Sequence, residues 1–385
     1  MLLTGSGRLA PAGRSPWAIR IEAGRIAWVG DPADAPDEER TDLGDALVTP
    51  GLVDSHTHPV FAGDRSDEAA ARLEGAPYTE GGILRTMRAT RDASDEELGA
   101  LIAARLRSAL AAGTTTVECK SGYGLALEEE LRHLRLLRVA AAELPIRVVA
   151  TFLGAHAVPP EAGSATEYAA HVADDMIPAV AAEGLAAFVD VFSDAGFFDH
   201  AATERIGSAA RRAGMALRLH ADQMARTGAT ELGVRLGAAS VDHLEQLDAD
   251  GVAALAGSLT VATLLPAPAI VLRDRLPPAR ALLDAGATVA LASDANAGTY
   301  GGFGTMPLVV GLGATLLGMT VAEALTAATA GAGVALGVRA LGTVEPGAPA
   351  DLVAWDAEHE GAFALNLGAV RALRVWIGGV EVTAA

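Results

Sequence analysis

Residues 49–58 read Thr-Pro-Gly-Leu-Val-Asp-Ser-His-Thr-His. Pro50-Gly51 punctuates the chain, and Leu52–Asp54 is a short apolar run of strand type. A His-x-His pair follows it. In extended chain, residues i and i+2 project to the same side about 7 Å apart, so His56 and His58 can reach one cation.

Seven further apolar runs lie downstream: Thr114–Glu118, Ile146–Phe152, Phe188–Phe192, Ala216–Leu219, Ser240–Val241, Thr260–Leu265 and Thr288–Leu291. Most lack clear alternation, as expected of parallel strands buried on both faces. Helical segments separate most of them. Ser94-Asp-Glu-Glu97 and Thr320-Val-Ala-Glu323 read as capping boxes, and Glu128–Ala142 as a helix ended before Pro145. Eight strands alternating with helices predict an α/β fold, a (β/α)8 TIM-type barrel over residues 50–345. The chain ends read differently. Ala18–Ile21, Arg25–Val29, Leu47–Thr49, Asp351–Trp355 and Ala372–Ile377 are strand-like. They predict a small β-sandwich domain built from both termini, residues 1–49 and 346–385.

In such a barrel, polar residues just past strand C-termini read as catalytic. Those positions carry His56 and His58, Glu118 with Lys120 and Tyr123, His156, Ser193 and Asp194, His220 with Asp222 and Gln223, Asp242, His243 and Glu245, then Asp294 and Asn296. Five of the nine histidines fall there. His220 and Asp294 would complete a set of three nitrogens and one oxygen with His56 and His58. That set suits Zn²⁺, and imidazole-rich sites also accept Fe²⁺. His133, His171, His200 and His359 read as surface residues.

Composition limits the partners. The net charge is −19, which repels nucleic acid and anionic lipid. A lone cysteine, Cys119, excludes an internal disulfide. The stretch Met306–Met319 is too short to span a bilayer. A cytoplasmic protein is expected, with neither nucleic acid nor membrane as partner.

The segment Thr49–His58 resembles the first-strand signature of the amidohydrolase superfamily. Further stretches narrow the resemblance: Val60-Phe-Ala-Gly-Asp-Arg65, Lys120-Ser-Gly-Tyr-Gly124, Phe152-Leu-Gly-Ala-His156, Leu219-His-Ala-Asp-Gln223 and Asp242-His-Leu-Glu245. Together they resemble the imidazolonepropionase family. The resemblance implies one divalent metal ion, Zn or Fe, on His56, His58, His220 and Asp294. It implies a substrate carboxylate held by Arg65 and Tyr123, an imidazolone ring contacted by His156, and a pocket that includes Asn296. His243 would stand near the hydrolytic water. The implied reaction is hydrolysis of a cyclic amide, 4-imidazolone-5-propanoate to N-formimino-L-glutamate, in a homodimer. Asp294 would take the water's proton and His243 stabilise the oxyanion.

Three departures bear on this. Gln223 joins the catalytic set where relatives can carry a glutamate, and an amide cannot accept a proton; the base is then Asp294 or His243. Ala297 replaces an expected proline in Asp294-Ala-Asn-Ala-Gly298, which should loosen that loop. Ser193-Asp194 replaces a Cys-Glu pair. A paralogue acting on another carboxylate-bearing five-membered ring amide is the alternative. Gln223 argues against a deaminase, and the intact ligand set against a non-catalytic scaffold. The plainer readings are an ion pair of Arg65 with Asp64 or Asp67, and of Lys120 with Glu118 rather than a carboxylated lysine bridging metals.

Overall fold

The computed structural model describes residues 1–75, 81–338 and 340–382. The chain opens with β1 (Leu2–Gly5), β2 (Trp17–Glu22), β3 (Arg25–Gly30), β4 (Arg40–Asp42) and β5 (Leu47–Pro50). The barrel strands follow: β6 (Leu52–Asp54), β7 (Thr114–Lys120), β8 (Arg147–Ala155), β9 (Phe188–Ser193), β10 (Ala216–Ala221), β11 (Ser240–His243), β12 (Val261–Leu264) and β13 (Val289–Leu291). The last strands are β14 (Leu352–Trp355), β15 (Ala372–Ile377) and β16 (Val380–Val382).

β6 to β13 form one parallel sheet in strict chain order. β6 and β13 are too short to pair along their length, so the seam closes just past their ends. There the His58 N–H donates to the Ala295 carbonyl at 2.9 Å, and the Asp294 N–H to the His56 carbonyl at 3.0 Å. Asp54 reinforces the seam. Its carboxylate accepts from the Ser293 N–H at 3.0 Å and from Ser293 Oγ at 2.6 Å. The barrel is thus closed by the backbone of the residues expected to bind metal.

Two helices the sequence reading did not foresee lie between β6 and β7: α1 (Ser66–Leu73) and α2 (Gly81–Asp92). They are followed by α3 (Asp95–Ala111) and, after β7, by α4 (Leu127–Ala142). At α3 only the serine half of the expected capping box forms, Ser94 Oγ accepting from the Glu97 N–H. At Thr320 both halves form.

The chain ends build two four-stranded sheets, ordered β3-β2-β1-β4 and β16-β15-β14-β5. β1 and β4 escaped the sequence reading. The two sheets share an apolar core of Leu3, Trp17, Ile19, Val48, Leu352 and Trp376. β5 pairs antiparallel with β14 and runs directly into β6, tying this unit to the barrel.

One expectation fails outright. His133, read as a surface residue, is fully buried in α4. It falls on the helix's inner face beside Leu134 and Leu137. Neither ring nitrogen finds a hydrogen-bond partner among the described residues. Burial and the charges of Arg132 and Arg91 push its pKa down to about 3. No helix of the described residues is long and apolar enough to cross a membrane.

Candidate active site

The strand-end residues converge. His58, Arg65, Tyr123, His156, His220, Gln223, His243, Asp294 and Asn296 line one small cavity at the C-terminal mouth of the barrel. A larger cleft of about 850 Å³ lies at the opposite end, between Leu9, Val289 and Val344, but it gathers no histidines. Chemistry rather than size marks the site.

The His-x-His pair brings two ring nitrogens together. His56 Nε2 and His58 Nε2 stand 3.2 Å apart. Asp294 Oδ1 lies 3.3 Å from His58 Nε2 and 3.5 Å from His56 Nε2. The rings of His56 and His220 meet with centroids 4.6 Å apart. Buried carboxylates fix two of these rings from behind. His56 Nδ1 bonds Asp242 Oδ2 at 2.7 Å, and His220 Nδ1 bonds Asp190 Oδ1 at 3.0 Å. Each Nδ1 is therefore the donor, and each Nε2 carries a lone pair. His58 Nε2 and Asp294 Oδ1 stand beside the His56 lone pair, so three ligand atoms face one point. In a tetrahedral zinc site, ligand bonds of about 2.0–2.1 Å place neighbouring ligand atoms roughly 3.4 Å apart, close to the separations here. Among the described residues two sets of ligand atoms lie close enough to hold one divalent ion, His56 with His58 and Asp294, and His56 with His220 and His243.

The carboxylates are held in turn. Lys120 Nζ lies 2.9 Å from Asp190 Oδ2 and 2.8 Å from Glu118 Oε1. Arg218 Nη2 donates to Asp242 Oδ2 at 3.0 Å and to the Ser55 carbonyl at 2.7 Å. All five side chains are fully buried. Lys120 is thus ion-paired with Glu118, the plainer of its two readings, and with a second carboxylate as well. Asp190 and Arg218 were missed as supports. Their signal was present, since each is a lone charge inside an otherwise apolar strand, Phe-Val-Asp-Val-Phe and Ala-Leu-Arg-Leu-His.

Burial pushes His56, His58 and His156 below the ordinary imidazole value, so they are neutral. His243 differs. Burial alone would lower it, but the carboxylates of Glu245, Asp294 and Asp242 outweigh that and raise it to about 9. Its Nδ1 lies 3.5 Å from Glu245 Oε1 and its Nε2 4.0 Å from Asp294 Oδ2. Burial raises Asp294 too, yet the His58 hydrogen bond and the His243 charge hold it below the usual carboxylate value. Several residues here adopt positive φ, including Asp222 at 49°, His243 at 84° and Asp294 at 50°. Such strain concentrates at working sites.

His156 Nδ1 bonds the Gly122 carbonyl at 2.8 Å, and its ring stacks on His58 with centroids 5.3 Å apart. Tyr123 packs edge-on to it, 5.1 Å away. Arg65 is buried and pairs with Glu68, rather than with Asp64 or Asp67: Nε to Oε2 is 2.8 Å and Nη2 to Oε1 is 2.6 Å. The Gln223 N–H donates to Asp194 Oδ2 at 2.7 Å. Asp194 also accepts from the N–H groups of Ala195, Met224 and Ala225, so it holds the loop after β10 in place.

Asn296 requires a correction. It lines the cavity, but its amide is already committed. Nδ2 donates to the Asp294 carbonyl and to Thr299 Oγ1, both at 2.6 Å. Oδ1 accepts from the N–H groups of Gly298 at 2.7 Å and Thr299 at 2.8 Å. An amide has two donors and two acceptor sites, so none is left for substrate. These bonds tie Asn296 to Asp294, Gly298 and Thr299 on both sides of Ala297.

The amidohydrolase family model matches residues 47–382. An imidazolonepropionase from Rhizorhabdus wittichii is 46% identical over 361 residues, covering 91% of this chain and 90% of its own. One from Pseudomonas putida is 45% identical over 377 residues, covering 95% and 94%. Among solved structures, a 5-methylcytosine deaminase from Klebsiella pneumoniae superposes with a TM-score of 0.80 at 16% identity, covering 100% of this chain and 97% of that one. A zinc-bound adenosine deaminase from Xanthomonas campestris gives 0.74 at 20%, covering 99% and 92%. At such identities the deaminases speak for the fold alone. The sequence matches span nearly the whole chain at more than twice that identity, and this chain belongs to the imidazolonepropionase family of amidohydrolases.

Proposed function

We propose that this chain hydrolyses the ring amide of 4-imidazolone-5-propanoate, giving N-formimino-L-glutamate, with one divalent ion, Zn or Fe, held by His56, His58, His220 and Asp294. The observation that carries this reading is the facing pair of Nε2 atoms 3.2 Å apart, with Asp242 and Asp190 fixing the rings of His56 and His220 from behind. An ion so held supplies Lewis-acid chemistry that makes water a nucleophile near neutral pH.

The chain's own residues do the rest. Asp294, ionised and 4.0 Å from His243, accepts the water's proton. Water oxygen bonds to the ring carbonyl carbon, the carbon–nitrogen bond breaks, and the departing ring nitrogen takes the proton from Asp294. His243, held between Glu245 and Asp294, offers a ring N–H that stabilises the developing oxyanion. His156 donates through Nδ1 to Gly122, so its Nε2 is an acceptor for a ring N–H. Arg65 and Tyr123 hold the propionate, the guanidinium matching a carboxylate's geometry. Gln223 offers an amide to the ring and contributes no base. Asn296 acts as a tie for its loop rather than as a substrate contact.

Asp294→Ala tests the reading. It removes base and ligand together, and kcat should fall at least about 1000-fold with the fold retained by circular dichroism. A variant with near-native turnover would exclude the assigned role.

A further inference from the structure

Two glycines, Gly82 and Gly298, lie against the Arg65 head group. A β-carbon on Gly298 would lie 2.1 Å from Arg65 Nη1 and 2.4 Å from its Cζ. A β-carbon on Gly82 would lie 1.8 Å from Arg65 Nη2, 2.4 Å from Cζ and 2.7 Å from Glu68 Oε2. Real β-carbons do not approach that closely, so something would have to move.

Neither glycine can retreat cheaply. Gly298 is pinned through both its backbone groups. Its N–H donates to Asn296 Oδ1 and its carbonyl accepts from Arg72 Nη2. Gly82 sits in the first turn of α2, where its carbonyl accepts from Thr86 Oγ1 at 3.2 Å. The guanidinium is the end of a flexible side chain and yields first. Arg72 also donates to Glu68 Oε1, so Glu68 and Gly298 are linked through one arginine. The segments 65–72, 81–82 and 296–299 thus form one frame around the Arg65 head group.

We propose that Gly82 and Gly298 are specificity-determining positions that seat Arg65 for the substrate's carboxylate, acting by the absence of a side chain. The inference rests on the carboxylate role of Arg65 stated above. The two glycines are positioning residues; they need touch no substrate. Nothing in their backbone demands glycine, since neither has positive φ. The demand comes from the arginine.

The test is steady-state kinetics of Gly82→Ala and Gly298→Ala on imidazolonepropionate, each made alone and in an Arg65→Ala background. Losing one charged contact predicts a KM raised roughly 10- to 100-fold in the single variants, with kcat changed by less than about threefold. Circular dichroism on each variant confirms that it folds before its kinetics are read. In the Arg65→Ala background either substitution should add almost nothing to KM. Unchanged KM in both single variants overturns the inference. So does an equal KM rise in the absence of Arg65, which would mean the glycines act on something else. If Arg65→Ala itself leaves KM unaltered, the carboxylate reading fails, and this inference with it.

Discussion

At the residue scale, the behaviour of His56 follows from what stands behind it. Its Nδ1 bonds Asp242, and Asp242 in turn accepts from Arg218. With Nδ1 committed, Nε2 can only be an acceptor, which is the form a metal requires. Asp242→Asn should therefore weaken metal affinity about 10- to 100-fold, read by chelator competition on folded protein. Native affinity in that variant would mean the carboxylate is not what orients the ring. The candidate ligands stand out in the sequence, because His-x-His and the strand-end histidines announce themselves by position. Their supports were harder to see. Asp190 and Arg218 lie within strands, and only the closed barrel shows that they point inward beneath the site. Asn296 illustrates the opposite error: a polar residue at a site position proved to be spent on its own loop.

At the element scale, the helix α4 carries a cost that its pattern conceals. His133 occupies a position where the helix buries its apolar face, and burial lowers its pKa to about 3. A histidine kept neutral by the fold opposes acid. The unfolded chain protonates below about pH 6.5 while the folded chain does not, so stability is fully present above 6.5 and is lost as pH falls from there toward 3. At pH 5 the loss amounts to about 2 kcal/mol. His133→Leu should leave stability at pH 8 similar or higher and should flatten its decline between pH 7 and 5, measured by urea denaturation. A variant that loses stability on acidification as steeply as the parent would contradict this. All eight barrel strands were legible, though several borders fell a residue or more short of the ends. Helices α1 and α2 were not. They belong to a long connection after β6, and contacts beyond each helix hold them: Arg72 of α1 on the Gly298 carbonyl, Arg85 of α2 on Asp67 and Arg91 on the Gly124 carbonyl.

At the scale of the whole molecule, the two chain ends and the barrel depend on each other. β5 leaves the terminal sheets and becomes β6 after one residue, and β6 ends two residues before His56. The placement of His56 and His58 is thus set partly by the sandwich, through β5 pairing with β14. A sandwich built from both ends was readable, but its strands β1 and β4 were not, because each is only three or four residues long. The seam of the barrel, closed by His56, His58, Asp294 and Ala295, joins the first and last barrel strands at the candidate site. Architecture and chemistry therefore share the same residues. The central claim is that these residues hold one divalent ion needed for hydrolysis of the imidazolone ring. The direct measurement follows turnover of freshly prepared 4-imidazolone-5-propanoate by metal-stripped protein, with zinc or iron added back and metal content determined on the same samples. The account predicts negligible turnover when stripped, with recovery saturating at one ion per chain. Full turnover by protein free of metal would contradict it.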